Sequence, residues 1–270
     1  MNQRVITGAL LVIGLILVLW LGGTVFSVAI CLAFVLAVRE ELQALEHAGY
    51  KPVHWVSYAY LLLSAPMAMV YSYVGIMPIL TLCAFCGLIQ VMRRPNPDLT
   101  DVMVTALPML TVVTPAICIM GLATVEPRSL QLYFIVLLFA LSSLGDIFAY
   151  EVGSRIGGKK LCPKISPKKT ISGSIGGLVG SIFSAVLVGW IFQTLSPNVV
   201  FPPLWANLLV GLCGGVAGQT GDLFASLVKR HCGVKDFGNL LPGHGGALDR
   251  LDSIIFTAIV VYCYQVIFMM

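Results

Sequence analysis

Long apolar stretches alternate with short polar ones along the chain, and this alternation predicts membrane-spanning helices. A helix needs about 20 mostly apolar residues to cross a bilayer. Nine stretches approach that length, and we expect a helix in each. They cover residues 5–21, 24–38, 53–72, 74–92, 102–123, 130–152, 174–195, 204–224 and 254–270. The pattern predicts an all-α polytopic membrane protein with about nine transmembrane helices.

The first apolar stretch follows a single basic residue, Arg4, as the apolar part of a signal peptide does. It is about as long as a span, however, and further spans follow it. We therefore expect it to be retained as a transmembrane helix.

Composition agrees with a membrane protein. Hydrophobic residues make up 58% of the chain and charged residues only 10%, whereas soluble domains carry about 25% charged residues. The eight cysteines lie mostly in apolar stretches. Cys83 and Cys86 form a CxxC pair without the two further ligands of a structural zinc site, so we expect neither a zinc site nor a disulfide framework.

Basic residues indicate how the chain is oriented in the membrane. If the N-terminus is cytoplasmic and the chain crosses nine times, fifteen of the sixteen lysines and arginines lie in cytoplasmic segments, and only Arg128 lies outside. Cytoplasmic loops carry such an excess of Lys and Arg. This distribution predicts a cytoplasmic N-terminus and an external C-terminus.

Two cytoplasmic loops hold most of the polar residues. Residues 153–173 carry six basic residues and no acid, and residues 225–253 carry four basic and three acidic residues. We therefore divide the chain into an N-terminal transmembrane region (1–100), middle helices (101–152) and a catalytic membrane region (153–270). The active site is expected near the cytoplasmic face.

The first loop contains the sequence SPKKT, followed by GSIGG at the start of the next span. Lys168 and Lys169 are flanked there by the hydroxyls of Ser166 and Thr170. Lysines, hydroxyls and free backbone N–H groups at a helix start suit phosphate oxygens. The alternative is that the cations only hold the loop against anionic lipid.

Three aspartates are candidate ligands of a metal ion. Asp222 ends the eighth span, where an acid is costly to desolvate and is a functional candidate. Asp249 and Asp252 are spaced to share one face of the ninth helix. Together the three suit Mg²⁺, which takes one or two protein carboxylates plus substrate phosphates. The alternative for Asp249 and Asp252 is a solvated helix start.

The stretch LLPGHGGALDRLDS, residues 240–253, surrounds His244 with glycines that permit a tight turn. His244 is either catalytic or a turn histidine with a satisfied hydrogen bond. Asp146 and Glu151, near the end of the sixth span, are weaker candidates, since an ion pair that supports the fold explains them equally well.

These residues together predict phosphoryl or nucleotidyl transfer to or from a lipid phosphate. A Walker P-loop is absent from the sequence, which argues against an ordinary NTPase. A transporter or channel would favour charges near the midplane and repeated halves, but the acids here cluster at the cytoplasmic edge and we find no repeat.

The run SLVKRHCGVKDFGNLLPGHGGALDRLD, residues 226–252, closely resembles the signature of phosphatidate cytidylyltransferases, also called CDP-diacylglycerol synthases. The stretches GDIFAY, SPKKT, GSIGG and QRVITG also resemble this family. The resemblance covers residues 145–253 well and the N-terminal third loosely. The matching positions of the run are Ser226, Lys229, Arg230, Lys235, Asp236, Gly238, Pro242, His244, Gly245, Gly246, Asp249, Arg250 and Asp252.

The resemblance implies an enzyme of the inner membrane, commonly a homodimer, that joins CTP and phosphatidic acid to give CDP-diacylglycerol and pyrophosphate. It implies Mg²⁺, allows a second cation such as K⁺, and gives no reason to expect a nucleic-acid partner. The implied catalytic residues are Asp222, Lys229, His244 and Asp249, and the implied metal ligands are Asp222, Asp249 and Asp252. The implied phosphate contacts are Ser166, Lys168, Lys169, Ser226, Lys229, Arg230, Lys235 and Arg250.

Three positions depart from the family pattern. Ser172 and Ala225 stand where the family usually has glutamate, and Ala247 stands where it has a larger aliphatic residue. The two lost glutamates leave open an altered metal affinity, another lipid substrate, or a weakly active or inactive paralogue. A CTP-dependent lipid kinase is a further alternative, because the sequence does not define the pocket for the acyl chains.

Overall fold

Helices form most of the computed structural model, which describes residues 13–70, 76–240 and 245–269. Residues 13–21 are helical and precede the helices that we label here. These are α1 (Gly23–His47), α2 (His54–Val70), α3 (Ile76–Met92), α4 (Leu99–Pro108), a π-helix (Met109–Val113), α5 (Thr114–Leu122), α6 (Arg128–Ile156), α7 (Ile171–Leu195), α8 (Leu204–His231) and α9 (Leu248–Met269).

A helix overlaps every stretch for which the sequence predicts a span. Within the described ranges, five helical segments are long and apolar enough to cross a membrane. They are Leu99–Leu122, Arg128–Ile156, Ile171–Leu195, Leu204–His231 and Leu248–Met269. The helical, polytopic fold is thus confirmed, whereas the count of nine crossings and the position of the active site stay predictions.

A small β-hairpin was not predicted. Strand β1 (Lys160–Cys162) pairs antiparallel with β2 (Ser166–Thr170), and Lys160 lies opposite Thr170. The short strands contain few of the β-branched and aromatic residues that mark a strand in sequence. The hairpin ends at Thr170, directly before the first residue of α7, so it holds the lysines of SPKKT close to the start of that helix.

Contacts divide the chain into two compact units. Unit 1 comprises Met1–Gly121 and Lys229–Leu251, and unit 2 comprises Leu122–Val228 and Asp252–Met270. The three regions proposed from the sequence follow chain order only and stay predictions.

The core of unit 1 packs α1 and α2 against the helical segment from Leu99 to Gly121. Phe34, Leu42, Tyr60 and Met109 are almost completely buried there. The π-helix follows Pro108 directly, and π-helical turns of this kind are common at functional sites.

Close glycine contacts hold the helices of unit 2 together. A Cβ atom added to Gly176 of α7 would lie 2.6 Å from the Cβ of Val152 on α6. One added to Gly221 of α8 would lie 2.6 Å from the carbonyl oxygen of Asp252 on α9. Small residues let the backbones of membrane helices approach closely, and here they set the position of the neighbouring Asp222.

Candidate functional site

Unit 2 contains a cavity of about 360 Å³ where polar side chains from α6, α7, α8 and the hairpin meet. Its charged lining consists of two carboxylates, Asp146 and Asp222, and two ammonium groups, Lys168 and Lys169. The other lining residues are Ala149, Tyr150, Gly153, Ser154, Leu161, Thr170, Gly173, Ser174 and Gln219. The structure therefore brings three sequence-predicted site residues together and adds Asp146 to them.

An ion pair between Lys169 and Asp222 joins β2 to α8 across this cavity. Both side chains are about a quarter exposed, at 27% and 28%. Lys168, one position earlier, is exposed and lines the same cavity. One cation of the strand is thus paired with an acid, and the preceding one is exposed at the cavity.

Helix α7 begins at the cavity. The Thr170 hydroxyl caps the helix by accepting a hydrogen bond from the Gly173 N–H at 3.1 Å. The Gln219 side chain of α8 donates to the Ser174 carbonyl at 2.9 Å. The predicted helix start after SPKKT is confirmed, and the positive end of the α7 dipole opens on the cavity, where it favours an anion.

Serine hydroxyls position Asp146. The Ser253 hydroxyl of α9 lies 3.0 Å from an Asp146 carboxylate oxygen, and the Ser142 hydroxyl donates to Ser253 at 2.8 Å. Asp252, the residue before Ser253, accepts a hydrogen bond from the Ser253 N–H at 2.9 Å. The structure supports a site role for Asp146, whose only signal in the sequence was an acid near the end of an apolar stretch.

In unit 1, Asp249 organises the loop between α8 and α9. One of its carboxylate oxygens lies 2.9 Å from the Lys229 ammonium nitrogen. The other accepts hydrogen bonds from the N–H groups of Phe237 at 2.8 Å and Gly246 at 3.0 Å. The residue is only 7% exposed. The alternative of a solvated helix start is therefore wrong for Asp249.

The phenyl ring of Phe237 adds a further contact to Lys229. The ammonium nitrogen lies 5.3 Å from the ring centroid, within the range of a cation–π interaction. Lys229 is thus held both by a carboxylate and by an aromatic face.

Sequence reasoning missed Glu40, a buried acid of α1 that contacts the same loop. Its carboxylate accepts hydrogen bonds from the N–H groups of Ala247 at 2.9 Å and Leu248 at 2.8 Å. The available signal was the pair of acids, Glu40 and Glu41, which follow the second apolar stretch with only Arg39 between.

The other predicted phosphate contacts lie outside the cavity lining. Ser166 lies on β2 but not in the cavity lining, and Ser226 is half-buried on α8. Three basic residues are exposed: Arg230, Lys235 and Arg250. His244 lies outside the described residues, so its role stays a prediction.

The three departures from the family pattern differ in their surroundings. The Ser172 hydroxyl donates to the Gly157 carbonyl oxygen. Ala225 is almost completely buried, at 3% exposure. Ala247 is half-buried, and its N–H contacts Glu40.

The proposed metal ligands belong to different units. Asp222 and Asp252 are part of unit 2, and Asp249 is part of unit 1. Among the side chains that the structure describes, no group of three or more His, Cys, Asp or Glu residues is placed to hold a metal ion. The three-aspartate assignment therefore stays a prediction, as do Mg²⁺ and K⁺.

A family model described as the cytidylyltransferase family matches residues 2–268. The phosphatidate cytidylyltransferase of Brucella abortus is 42% identical over 134 residues, which are 50% of this chain and 47% of the relative. That of Staphylococcus saprophyticus is 43% identical over 149 residues, 52% of this chain and 55% of the relative. The uncharacterized protein YnbB of Escherichia coli is 42% identical over 130 residues, 48% of this chain and 41% of the relative. The matches span about half the length of these relatives.

Proposed function

The chain belongs to the cytidylyltransferase family, and from this premise we propose that it transfers the cytidylyl group of CTP to phosphatidic acid. The products are CDP-diacylglycerol and pyrophosphate. The observation that carries the proposal is the cavity of unit 2, where Lys168, Lys169 and the start of α7 lie beside two carboxylates. Two of the aligned relatives bear the name of this activity.

In the proposed reaction, a phosphate oxygen of phosphatidic acid attacks the α-phosphorus of CTP. A new P–O bond forms as the bond to the departing pyrophosphate breaks. The attacking oxygen is anionic at neutral pH, so the protein need not supply a strong base. Lys168, Lys169 and the start of α7 bind the phosphates and stabilise the charge that builds on the leaving group.

The two carboxylates of the cavity fit Mg²⁺. Asp146 and Asp222 line one cavity, and Mg²⁺ is commonly bound by one or two carboxylates with substrate phosphates completing its coordination. We propose that these two residues hold it, and when bound it neutralises phosphate charge. A second cation such as K⁺, the catalytic role of His244 and the phosphate contacts of Arg230, Lys235 and Arg250 rest on the family resemblance.

We propose that the site faces the cytoplasm and that the protein lies in the inner membrane with a cytoplasmic N-terminus. Within unit 1, segments that the charge pattern assigns to the cytoplasm contact each other. The Lys51 N–H donates to Asp101 at 3.0 Å, and the Tyr50 hydroxyl lies 2.7 Å from a His231 ring nitrogen. These contacts support the orientation. A homodimer is proposed from the resemblance alone.

The test is an assay in liposomes with CTP labelled at the α-phosphate, phosphatidic acid and Mg²⁺. The wild type should form labelled CDP-diacylglycerol, and Asp222→Asn should lose roughly 100-fold in rate because one of the two carboxylates proposed to hold Mg²⁺ is lost. Glu46→Gln is the matched control, since Glu46 is an exposed acid that pairs with His54 on the surface. Product from a different lipid phosphate would replace phosphatidic acid as the substrate, and no product from any lipid would overturn the function.

A further inference from the structure

Glu40 supplies the cap of a helix that begins more than 200 residues later. The first N–H groups of a helix lack partners within the helix, and a side chain just before the helix usually binds one of them. At the start of α9, the Glu40 carboxylate instead accepts from both Ala247 and Leu248, across 207 and 208 positions of sequence.

The Glu40 carboxylate packs closely against the loop that precedes α9. Glu40 is 7% exposed, and two glycines of the loop lie against it. A Cβ atom added to Gly238 would lie 2.5 Å from a Glu40 carboxylate oxygen, and one added to Gly246 would lie 2.5 Å from the carboxyl carbon. A side chain at either glycine would force the Glu40 carboxylate or the loop to move. Gly238 and Gly246 are also matching positions of the family signature, so the close fit involves the part of the loop that carries the resemblance.

Successive N–H groups of the loop bind two different carboxylates. The Gly246 N–H donates to Asp249 at 3.0 Å, and the next one, of Ala247, donates to Glu40 at 2.9 Å. The peptide that leads into α9 is therefore held from two sides. Asp249 in turn contacts Lys229 at 2.9 Å, so a shift of this peptide would move both predicted site residues.

We propose that Glu40 is a positioning residue for the transfer reaction, holding the start of α9 so that Asp249 and Lys229 keep their places. This inference rests on the proposed function. Glu40 acts through the loop backbone and not through the substrate. Its loss should therefore lower kcat more than it changes KM, because misplacing site groups by about 1 Å can cost roughly 100-fold in rate.

The experiment compares Glu40→Gln with Glu46→Gln, a change at an exposed acid on the same helix. Glutamine has nearly the size of glutamate, but it has one acceptor oxygen in place of two and carries no charge. We expect Glu40→Gln to lower kcat by roughly 10- to 100-fold with the KM for CTP changed less than about 3-fold. The control should match the wild type in both constants.

Hydrogen–deuterium exchange of the same proteins gives a readout independent of activity. In Glu40→Gln, the amides of Ala247 and Leu248 should exchange roughly tenfold faster or more, because their hydrogen bonds to a charged group are weakened or lost. The Phe237 amide, which binds Asp249, should also exchange faster if the loop moves as a unit. Exchange in the core helices of unit 1 should stay unchanged, which shows that the variant is folded.

Glu40→Asp provides a second variant, because it keeps the charge but is too short to reach both N–H groups. Its kcat and its amide exchange should lie between those of Glu40→Gln and the wild type. If Glu40→Gln does not fold, Glu40→Asp is compared with the wild type in its place. Wild-type exchange at Ala247 and Leu248, unchanged kcat, or a raised KM with normal kcat would overturn the proposal. If the wild type itself makes no product, the proposed function fails, while the exchange comparison still decides whether Glu40 holds the start of α9.

Discussion

The ammonium nitrogen of Lys229 lies 2.9 Å from a carboxylate oxygen of Asp249, with the two side chains only 12% and 3% exposed. The family resemblance assigns phosphate binding to Lys229 and metal binding to Asp249, yet here each one balances the charge of the other. Removing one partner of such a buried pair leaves an uncompensated charge. The pair therefore supports the loop as well as any chemistry that the loop performs.

Replacing Lys229 by methionine should lower the free energy of unfolding by about 3–5 kcal/mol, because Asp249 is left charged and buried. Adding Asp249→Asn should recover part of this loss, so the double variant is more stable than the sum of the single changes indicates. Denaturant unfolding of the wild type, the two single variants and the double variant in detergent gives the four free energies of this double-mutant cycle. Arg155→Met is the control, since the Arg155–Glu151 pair is exposed and should cost less than about 1 kcal/mol. Additive losses would contradict the coupling.

Ala225 offers a test of the metal site in unit 2. It follows Asp222 by three positions on α8 and therefore lies on nearly the same helix face. Ala225→Glu restores the family's usual residue, but it places a further acid at a buried position and should lower the melting temperature in the absence of Mg²⁺. Added Mg²⁺ should raise the melting temperature more in Ala225→Glu than in the uncharged control Ala225→Gln, because a bound ion stabilises the folded state. Equal Mg²⁺ effects in the two variants would contradict this.

Glu41 lies beyond the second predicted span and is fully enclosed in unit 1. Burial raises its pKa from 4.5 to about 7, although a hydrogen bond with Thr111 opposes the shift. The Thr111 hydroxyl lies 3.0 Å from a Glu41 oxygen and also 2.8 Å from the Leu107 carbonyl oxygen. Thr111 thus shares its hydroxyl hydrogen between the Glu41 carboxyl and the Leu107 carbonyl oxygen.

This buried carboxyl predicts pH-dependent stability. Between pH 4.5 and about 7 the unfolded chain has released the Glu41 proton and the folded chain retains it. The free energy of unfolding should therefore fall by about 3 kcal/mol as the pH rises through this window. Unfolding measured at several pH values should show a smaller fall in Glu41→Gln and the full fall in Glu46→Gln. A full fall in Glu41→Gln would assign the effect to another group.

Gly221 should tolerate no side chain. The added Cβ of Gly221→Ala would lie 2.6 Å from the Asp252 carbonyl oxygen, so α8 and α9 must separate, at a cost of about 1–3 kcal/mol. Because Asp222 is the next residue, transfer activity should fall as well. Thermal unfolding and the liposome assay measure the two effects. Val216→Leu, at an exposed position of α8, should change neither, and a fully stable Gly221→Ala would contradict the close contact.

Much of the fold could be predicted because the length of each apolar stretch and the polar residues that separate the stretches are local features of the sequence. The stretch 174–195 predicts the body of α7, which runs from Ile171 to Leu195. The hydroxyls and lysines of SPKKT predict its polar start, where Thr170 is the cap. The β-hairpin was missed because its strands are short and lack strand-forming residues.

The partners of the site residues could not be predicted, since they depend on which helices pack together. Nothing near Glu40 in sequence indicates that it binds Ala247. Asp146 is equally compatible with a supporting ion pair until close helix packing places it in one cavity with Asp222. A single sequence carries no direct record of such distant contacts.

The hydrogen bond between Glu40 and Ala247 can form only late in the synthesis of the chain. At a translation rate of about 5–20 residues per second, the ribosome needs roughly 10 to 40 seconds to extend the chain from one residue to the other, a distance of 207 positions. During that interval the carboxylate needs other partners, such as water or lipid head groups. Unit 1 therefore becomes complete only after most of unit 2 has been made. Until then, Glu40 in the N-terminal helices lacks the backbone N–H groups that bind it in the folded protein.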